Sequence, residues 1–563
     1  MKPVIVTDWG IVPSANICCA DALEKLLNQC KETCEVILPE GVYFLTRRIL
    51  ISGCKNLTLR GENATIRTHF DNKVKSGMDG AFTFQDCENL TLKNLHFDTD
   101  VSPNISGTVC EINPEKGYFD LQIFDEFPID GDEYLEAINS VDEEYTPDYQ
   151  FVTFDVIPHD YLGDRKFRFY TNLTGVRENQ LMNIRHYRYG PSLVNFVNVY
   201  TALIEDVLIT NGPGCVFVIS PRSSDFTFHR FNIRLPENTK RLMASNADGI
   251  HVAGMTGKLV LKDCHFENLG DDALNIHSRA CMACDVDEEN NTMQYFSVRM
   301  VKIIDPATHM ESGGQLQIAK SPMDPNWAKP GDLLYVYDHE TVTKLGEVRV
   351  VSAEGTTMKY ELVSGSIAHG NILANAEYFA ATHIDGCSVR NTRARAFLLQ
   401  TNNALVENCH IYGMSLSAIL LSPDIANWYE VGPCTNVELR NNVIEKCNCC
   451  VHRSNIAAVV IKCRHEEGIS DSPAGVHNDI RIIGNRFRNI GGSAVFALAV
   501  QDLQIKDNRF DDCCNLPFDE TIESLKHDIA LVNCDSVDIS GNTSTKVPSP
   551  AHLVNVTNFH IDP

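Results

Sequence analysis

No stretch of this chain approaches the roughly 18 consecutive apolar residues of a membrane span, and nothing in it reads as a transmembrane helix. Basic side chains are in deficit: 48 Lys and Arg against 74 Asp and Glu leave a formal net charge of −26. A field of that sign repels nucleic-acid phosphates and anionic lipid surfaces. It therefore argues against nucleic-acid and membrane partners and favours a neutral one; a polyanion such as pectin would need a local basic patch. Tryptophan is scarce, with 3 residues in 563. The first ten residues, Met1 to Gly10, lack the apolar run of roughly 7–15 residues and the small-residue cleavage site of a signal peptide. The expectation is a cytoplasmic chain, or a secreted one whose leader has been trimmed.

What is present is an ordinary globular balance, 44% hydrophobic and 22% charged, in a chain long enough for several structural units. The 21 cysteines lack the dense, even spacing of a small disulfide scaffold. Several occupy equivalent places in a repeat, as in Asp263-Cys264-His265-Phe266 and Asn408-Cys409-His410-Ile411, where a small buried hydrophobe would stack. Most are expected to be reduced core residues. Cys281-x-x-Cys284 and Cys30-x3-Cys34 stand alone, without a second pair at zinc spacing, so neither a metal site nor a cofactor is expected.

A short alternating strand, often introduced by Asn, Asp or Cys and followed by a second strand after Asn or Asp, recurs along most of the chain. Examples are Cys54 to Arg60, Cys87 to Leu95, Gly257 to Asp263, Asn436 to Asn442, Asp479 to Asn485, Asp502 to Asn508 and Ser536 to Asn542. Period-2 alternation buries one face of each strand, while the Asn, Asp and Gly residues tolerate left-handed corners. Leu57 to Leu90, Phe226 to Leu259, Ile480 to Leu503 and Leu503 to Val537 lie 33, 33, 23 and 34 residues apart, which suits the coils of a three-sided solenoid. The fold class expected is all-β, a right-handed parallel β-helix.

Two stretches lose the repeat and carry strand-like runs with Pro and Gly punctuation, reading as small inserted β-barrel-like modules placed to wall a groove. The division expected is an N-terminal cap and first coils (1–106), an inserted module (107–185), central coils bearing the chemistry (186–279), a second module (280–378) and C-terminal coils (379–563). Long insertions near a groove could equally hold a homodimer.

Asn246-Ala247-Asp248-Gly249-Ile250-His251 and Gly270-Asp271-Asp272-Ala273-Leu274-Asn275-Ile276-His277 lie one coil apart. Stacking at about 4.8 Å makes equivalent positions in successive coils neighbours, bringing Asp248 beside Asp271 and Asp272. Clustered carboxylates repel and raise at least one pKa, supplying the acid and base that glycosidic cleavage needs. Turn capping would account for one such Asp, not three. Strict alternation would turn Asp248 and Asp272 inward; as corner residues beside glycine they are read as exempt from it. His251, Asn275 and His277 offer donors and acceptors to sugar hydroxyls, or form an external polar ladder. Trp428-Tyr429-Glu430-Val431-Gly432-Pro433 interrupts the repeat, making Trp428 and Glu430 candidates for sugar stacking and hydroxyl binding, or for packing under a loop.

Val6 to Gly10, Asp21-Ala22-Leu23 and Leu38 to Tyr43 resemble the capped start of pectin-degrading β-helix proteins. The stretch from Tyr189 to His277, with its N-x-D-G and later G-D-D, resembles the polygalacturonase-like hydrolases. Their Gly-His-Gly and carboxylate-gripping Arg-x-Lys find no good copy after residue 277, Lys462 being the nearest basic remnant. Asp248-Gly-Ile-His251, Leu269 to Asn275, the two insertions and the Trp428 segment are more similar to glycoside hydrolase family 110. That resemblance implies an inverting, metal-independent exo-α-1,3-galactosidase acting on galactose-terminated glycans, blood-group-B-type or linear. It implies Asp271 as general acid, with Asp248 and Asp272 holding the water. The alternatives are a polygalacturonase-like pectin hydrolase and a non-catalytic carbohydrate-binding β-helix.

Overall fold

The computed structural model describes residues 3–562 apart from 75–79, 143, 145, 154–155, 305–310, 325–326, 426–427, 450–455, 464–470, 517–525 and 546–550. Parallel strands wind through it as a right-handed β-helix. A central coil runs Ile250–Ala253, Thr256–Lys262 and His265–Glu267, one strand on each of three sides. Each strand pairs in parallel with its equivalent in the next coil: Ile250 with Leu274, Leu259 with Thr382, Phe266 with Val389.

Alternation explains why these sequences become coils. Leu259, Leu261, Phe266, Ile250 and Val252 are fully buried in one continuous core, while the residues between them face outward. Cys264, Cys387 and Cys409 occupy one stacked core position, each at most 2% exposed. At the N-terminal end the helix Ala20–Gln29 turns Leu23, Leu26 and Leu27 into that core, covering an edge that would otherwise expose unpaired strand groups.

Two antiparallel units interrupt the coils. The first has seven strands between Asn104 and Arg185, with Pro147–Thr153 and His159–Gly163 at its edges among the described residues, around a core of Phe119, Leu121, Phe167 and Phe169. The second starts from the coil strand Leu274–Asp287 itself. Thr292–Ile304, Thr357–Gly365, Lys344–Glu354, Leu333–Tyr337 and Ile372–Asn375 pair in that order and return to it, closing a six-stranded barrel. The first unit grips the central coils beside the aspartates: the Asn246 amide donates to the carbonyls of Pro103 (2.9 Å) and Tyr187 (3.2 Å), and Arg185 Nη1 donates to the Asn246 carbonyl (2.9 Å).

Candidate active site

The register on one side of the solenoid places Phe217, Ile250, Leu274, Phe397 and Ile419 at equivalent points of five coils. Two residues earlier, at the corner, this gives a column of Cys215, Asp248, Asp272, Arg395 and Ser417. Backbone hydrogen bonds from Val216 to Asp248 (2.8 Å), Gly249 to Asp272 (2.9 Å) and Ala273 to Arg395 (3.2 Å) hold it in place. Asp248 and Asp272 precede their strands, and Ile250, Val252, Leu274 and Ile276, which follow them, pack in the apolar core.

One oxygen from each of Asp248, Asp271 and Asp272 lies within 4.8 Å of the other two. Arg395 grips Asp272 through Nε to Oδ1 (2.8 Å), Nη2 to Oδ2 (3.0 Å) and its own backbone N–H to Oδ1 (3.0 Å). Arg393 Nη2 stands 2.8 Å from Asp271 Oδ2, to which the Tyr189 hydroxyl also donates at 3.3 Å. Asp248 accepts the backbone N–H of Asp272 on Oδ1 (3.1 Å), and its Oδ2 meets His251 Nδ1 at 2.7 Å.

These surroundings drive the three proton affinities apart. Burial raises Asp248, against the opposing pull of His251. Burial also pushes Asp272 up, to about 7; Arg395 resists, while the charges of Asp271 and Asp248 add to the rise. Burial acts on Asp271 in the same sense, but Arg393, Arg395, Arg185 and Arg188 together outweigh it and hold this carboxyl below the ordinary range. Asp272, 1% exposed, is the innermost; Asp248 and Asp271, at 7% and 9%, reach the surface of the corner. The cluster thus joins a carboxyl held low to two that are raised, one of them to about 7, the divergence that acid–base catalysis requires.

A second chain of contacts leads away from Asp248. His251 Nε2 lies 3.2 Å from His277 Nε2, His277 Nε2 lies 3.5 Å from Glu430 Oε1, and Gln400 Nε2 donates to Glu430 Oε2 at 3.1 Å. Glu430 arrives because Glu430–Val431 pairs antiparallel with Arg279 and Ser278. Asn275 shares the strand position of His251 in the next coil and keeps a buried Oδ1 without a hydrogen-bond partner among the described residues. Trp428 is 48% exposed and meets Tyr189 edge-to-face, centroids 6.1 Å apart. Every residue singled out in the sequence therefore lies in one corner region, with Trp428 reaching it through Tyr189.

The sequence missed the cations. The sequence shows no good copy of Arg-x-Lys after residue 277, yet an Arg-x-Arg, Arg393-Ala394-Arg395, sits in the next coil, bound to Asp271 and Asp272. The signal was an equivalence across 123 residues, Leu274 with Phe397, hidden by the barrel. Lys462 is buried in the same wall; burial and Arg395 lower it to about 8.

No family model matches the chain. It is 22% identical to alpha-1,3-galactosidase B of Bacteroides thetaiotaomicron, across 96% of this chain and 91% of that protein. To alpha-1,3-galactosidase A of Shewanella woodyi it is also 22% identical, across 90% and 86%. Among solved structures it is similar to the Agl-KA catalytic domain, with a TM-score of 0.49 and 10% identity over 100% of this chain and 68% of that one. The Yersinia enterocolitica family 28 exopolygalacturonase gives 0.47 and 12% over 100% and 79%.

Proposed function

We propose that this chain is a glycoside hydrolase that releases terminal α-1,3-linked galactose from glycans with inversion at the anomeric carbon, through Asp248, Asp271 and Asp272. The observation that carries this reading is the corner trio itself, three buried carboxylates within 4.8 Å whose proton affinities diverge. The names of two relatives matching almost the whole chain support galactose as the sugar. The glycan is blood-group-B-type or linear α-galactosyl. Carboxylates supply both acid and base, so the reaction asks for no metal.

An inverting pair usually stands roughly 6.5–9.5 Å apart, and this trio is tighter. The gap gives inversion no support, which leaves that assignment resting on the family resemblance. A water about 2.7 Å from each of two carboxylate oxygens nevertheless fits a pair separated by 4.8 Å or less. The resemblance makes Asp271 the acid. The arginines that hold its proton affinity down favour a second division of roles, with Asp271 as base and Asp248, which burial raises against the pull of His251, as proton donor. Either way the trio is the reacting set. Against pectin, Arg393 and Arg395 are already occupied by carboxylates.

The test is galactose release from an α-1,3-galactobioside and a B-type trisaccharide, beside a pectic oligosaccharide. Release of galacturonate alone would replace the proposal with the pectinase reading, and turnover of neither would leave a binding protein. Comparing Asp248→Asn and Asp271→Asn on a dinitrophenyl α-galactoside assigns the roles, because the variant lacking the acid retains turnover where the leaving group needs no proton.

A further inference from the structure

His251 and His277 present their Nε2 atoms to each other at 3.2 Å, with Glu430 Oε1 3.5 Å from the second, and all three ligand atoms lie within 4.8 Å of one another. Each group is oriented from behind. His251 Nδ1 is hydrogen-bonded to Asp248 Oδ2 (2.7 Å), His277 Nδ1 faces the Ser278 carbonyl (3.3 Å), and Glu430 Oε2 accepts from Gln400 (3.1 Å). With each Nδ1 set against an oxygen, the two Nε2 atoms turn into the same small space, beside a carboxylate oxygen. Three converging lone pairs repel unless a proton or a cation sits among them. Two nitrogen ligands about 2.0–2.1 Å from a tetrahedral zinc stand about 3.3–3.4 Å apart, close to the spacing found here. A carboxylate and a carbonyl behind the two ring nitrogens are the usual supports of metal-binding histidines.

We propose that His251, His277 and Glu430 form a binding site for a divalent transition-metal cation of the zinc class, and that the bound cation blocks the sugar pocket and inhibits the enzyme. The charges facing the site are mixed. Asp248 and Glu430 favour a cation, whereas Arg279 and, beside Glu430, Arg395 oppose it. Nitrogen ligands and this opposing charge select zinc, cobalt, nickel or copper over calcium and magnesium, which want more oxygens. The residues come from three separate sequence segments, joined only by stacking and by the Glu430–Val431 strand, which is why the sequence showed no ligand set. The inhibitory half rests on reading this corner as a glycosidase site; the binding half does not.

Cobalt(II) is the probe for binding. Titrating the whole protein should give d–d bands of a nitrogen and oxygen environment at a single equivalent, without thiolate charge transfer, and zinc should displace them. Glu430→Gln, which keeps the side-chain shape, and His277→Ala should each weaken cobalt binding at least about 10-fold, with the far-UV spectrum showing whether either has unfolded. Zinc should raise the thermal unfolding midpoint, and magnesium and calcium should not. On an active preparation, zinc should compete with the galactoside and a chelator should restore the rate. Absence of these bands in the wild type, or unchanged cobalt affinity in a folded Glu430→Gln protein, overturns the site. Cobalt binding without galactose release would instead overturn the proposed function and leave the site standing.

Discussion

The corner column and the asparagine ladder of the C-terminal coils obey the same stacking rule with opposite results. In the ladder, Asn442, Asn485, Asn508 and Asn542 take equivalent positions, and each Oδ1 from Asn485 onward accepts both the backbone N–H and the Nδ2 of its predecessor at 2.9–3.1 Å. Each Nδ2 also reaches a carbonyl of an earlier coil, such as Val406, Leu439 or Ile482. The ladder is neutral and its amides are satisfied, so its burial stabilises. In the corner the same repetition stacks Asp248, Asp272 and Arg395. Burial there is costly unless every charge keeps its partner. One region spends its repeats on stability and the other on reactivity.

Substitutions should break the two regions in different currencies. The largest effect belongs to the corner: Asp248→Asn should lower kcat on a natural α-1,3-galactoside by about 10²–10⁴-fold while leaving the urea midpoint nearly unchanged. Arg395→Met should damage both properties, because it strands Asp272 without its cation; a loss of about 3–5 kcal/mol is expected, read by urea unfolding. Adding Asp272→Asn should recover much of that stability and none of the turnover. Asn485→Ala, in the middle of the ladder, should cost about 2–3 kcal/mol through unsatisfied buried groups, with kcat unaffected. A measurable loss of turnover there would mean that the regions are not separable.

Per pH unit the smallest effect is a slope in stability. His477 accepts the Cys434 N–H and donates to the Lys462 carbonyl, and burial lowers it to about 4. An unfolded histidine titrates near 6.5, so between about 6.5 and 4 the unfolded chain binds a proton that the folded one refuses. Its share of stability is therefore complete above pH 6.5 and falls as pH drops through that window. His477→Gln, which can make both hydrogen bonds, should flatten the stability–pH curve there by at most about 1.4 kcal/mol per pH unit.

The coils were legible because alternation and corner residues are local signals. The asparagines were read as turn formers, and the structure divides that work: Asn441, Gly484, Asp507 and Gly541 take the left-handed φ, while the next residue builds the ladder. Asp248 beside Asp272 was visible because only one uninterrupted coil separates them. Arg393 and Arg395 were not, since a barrel lies between them and the aspartates they neutralise. The convergence of His277 with Glu430 was equally hidden, as it depends on an antiparallel strand outside the repeat.

The most direct test of the account is proton NMR of freshly mixed enzyme and an α-1,3-linked galactoside, run in parallel with Asp271→Asn at equal concentration and with an equal unfolding midpoint. β-Galactose should appear first with the wild type, α-galactose should follow only by mutarotation, and the variant should release no detectable sugar. α-Galactose as the first product, or release by the variant at the wild-type rate, would contradict it.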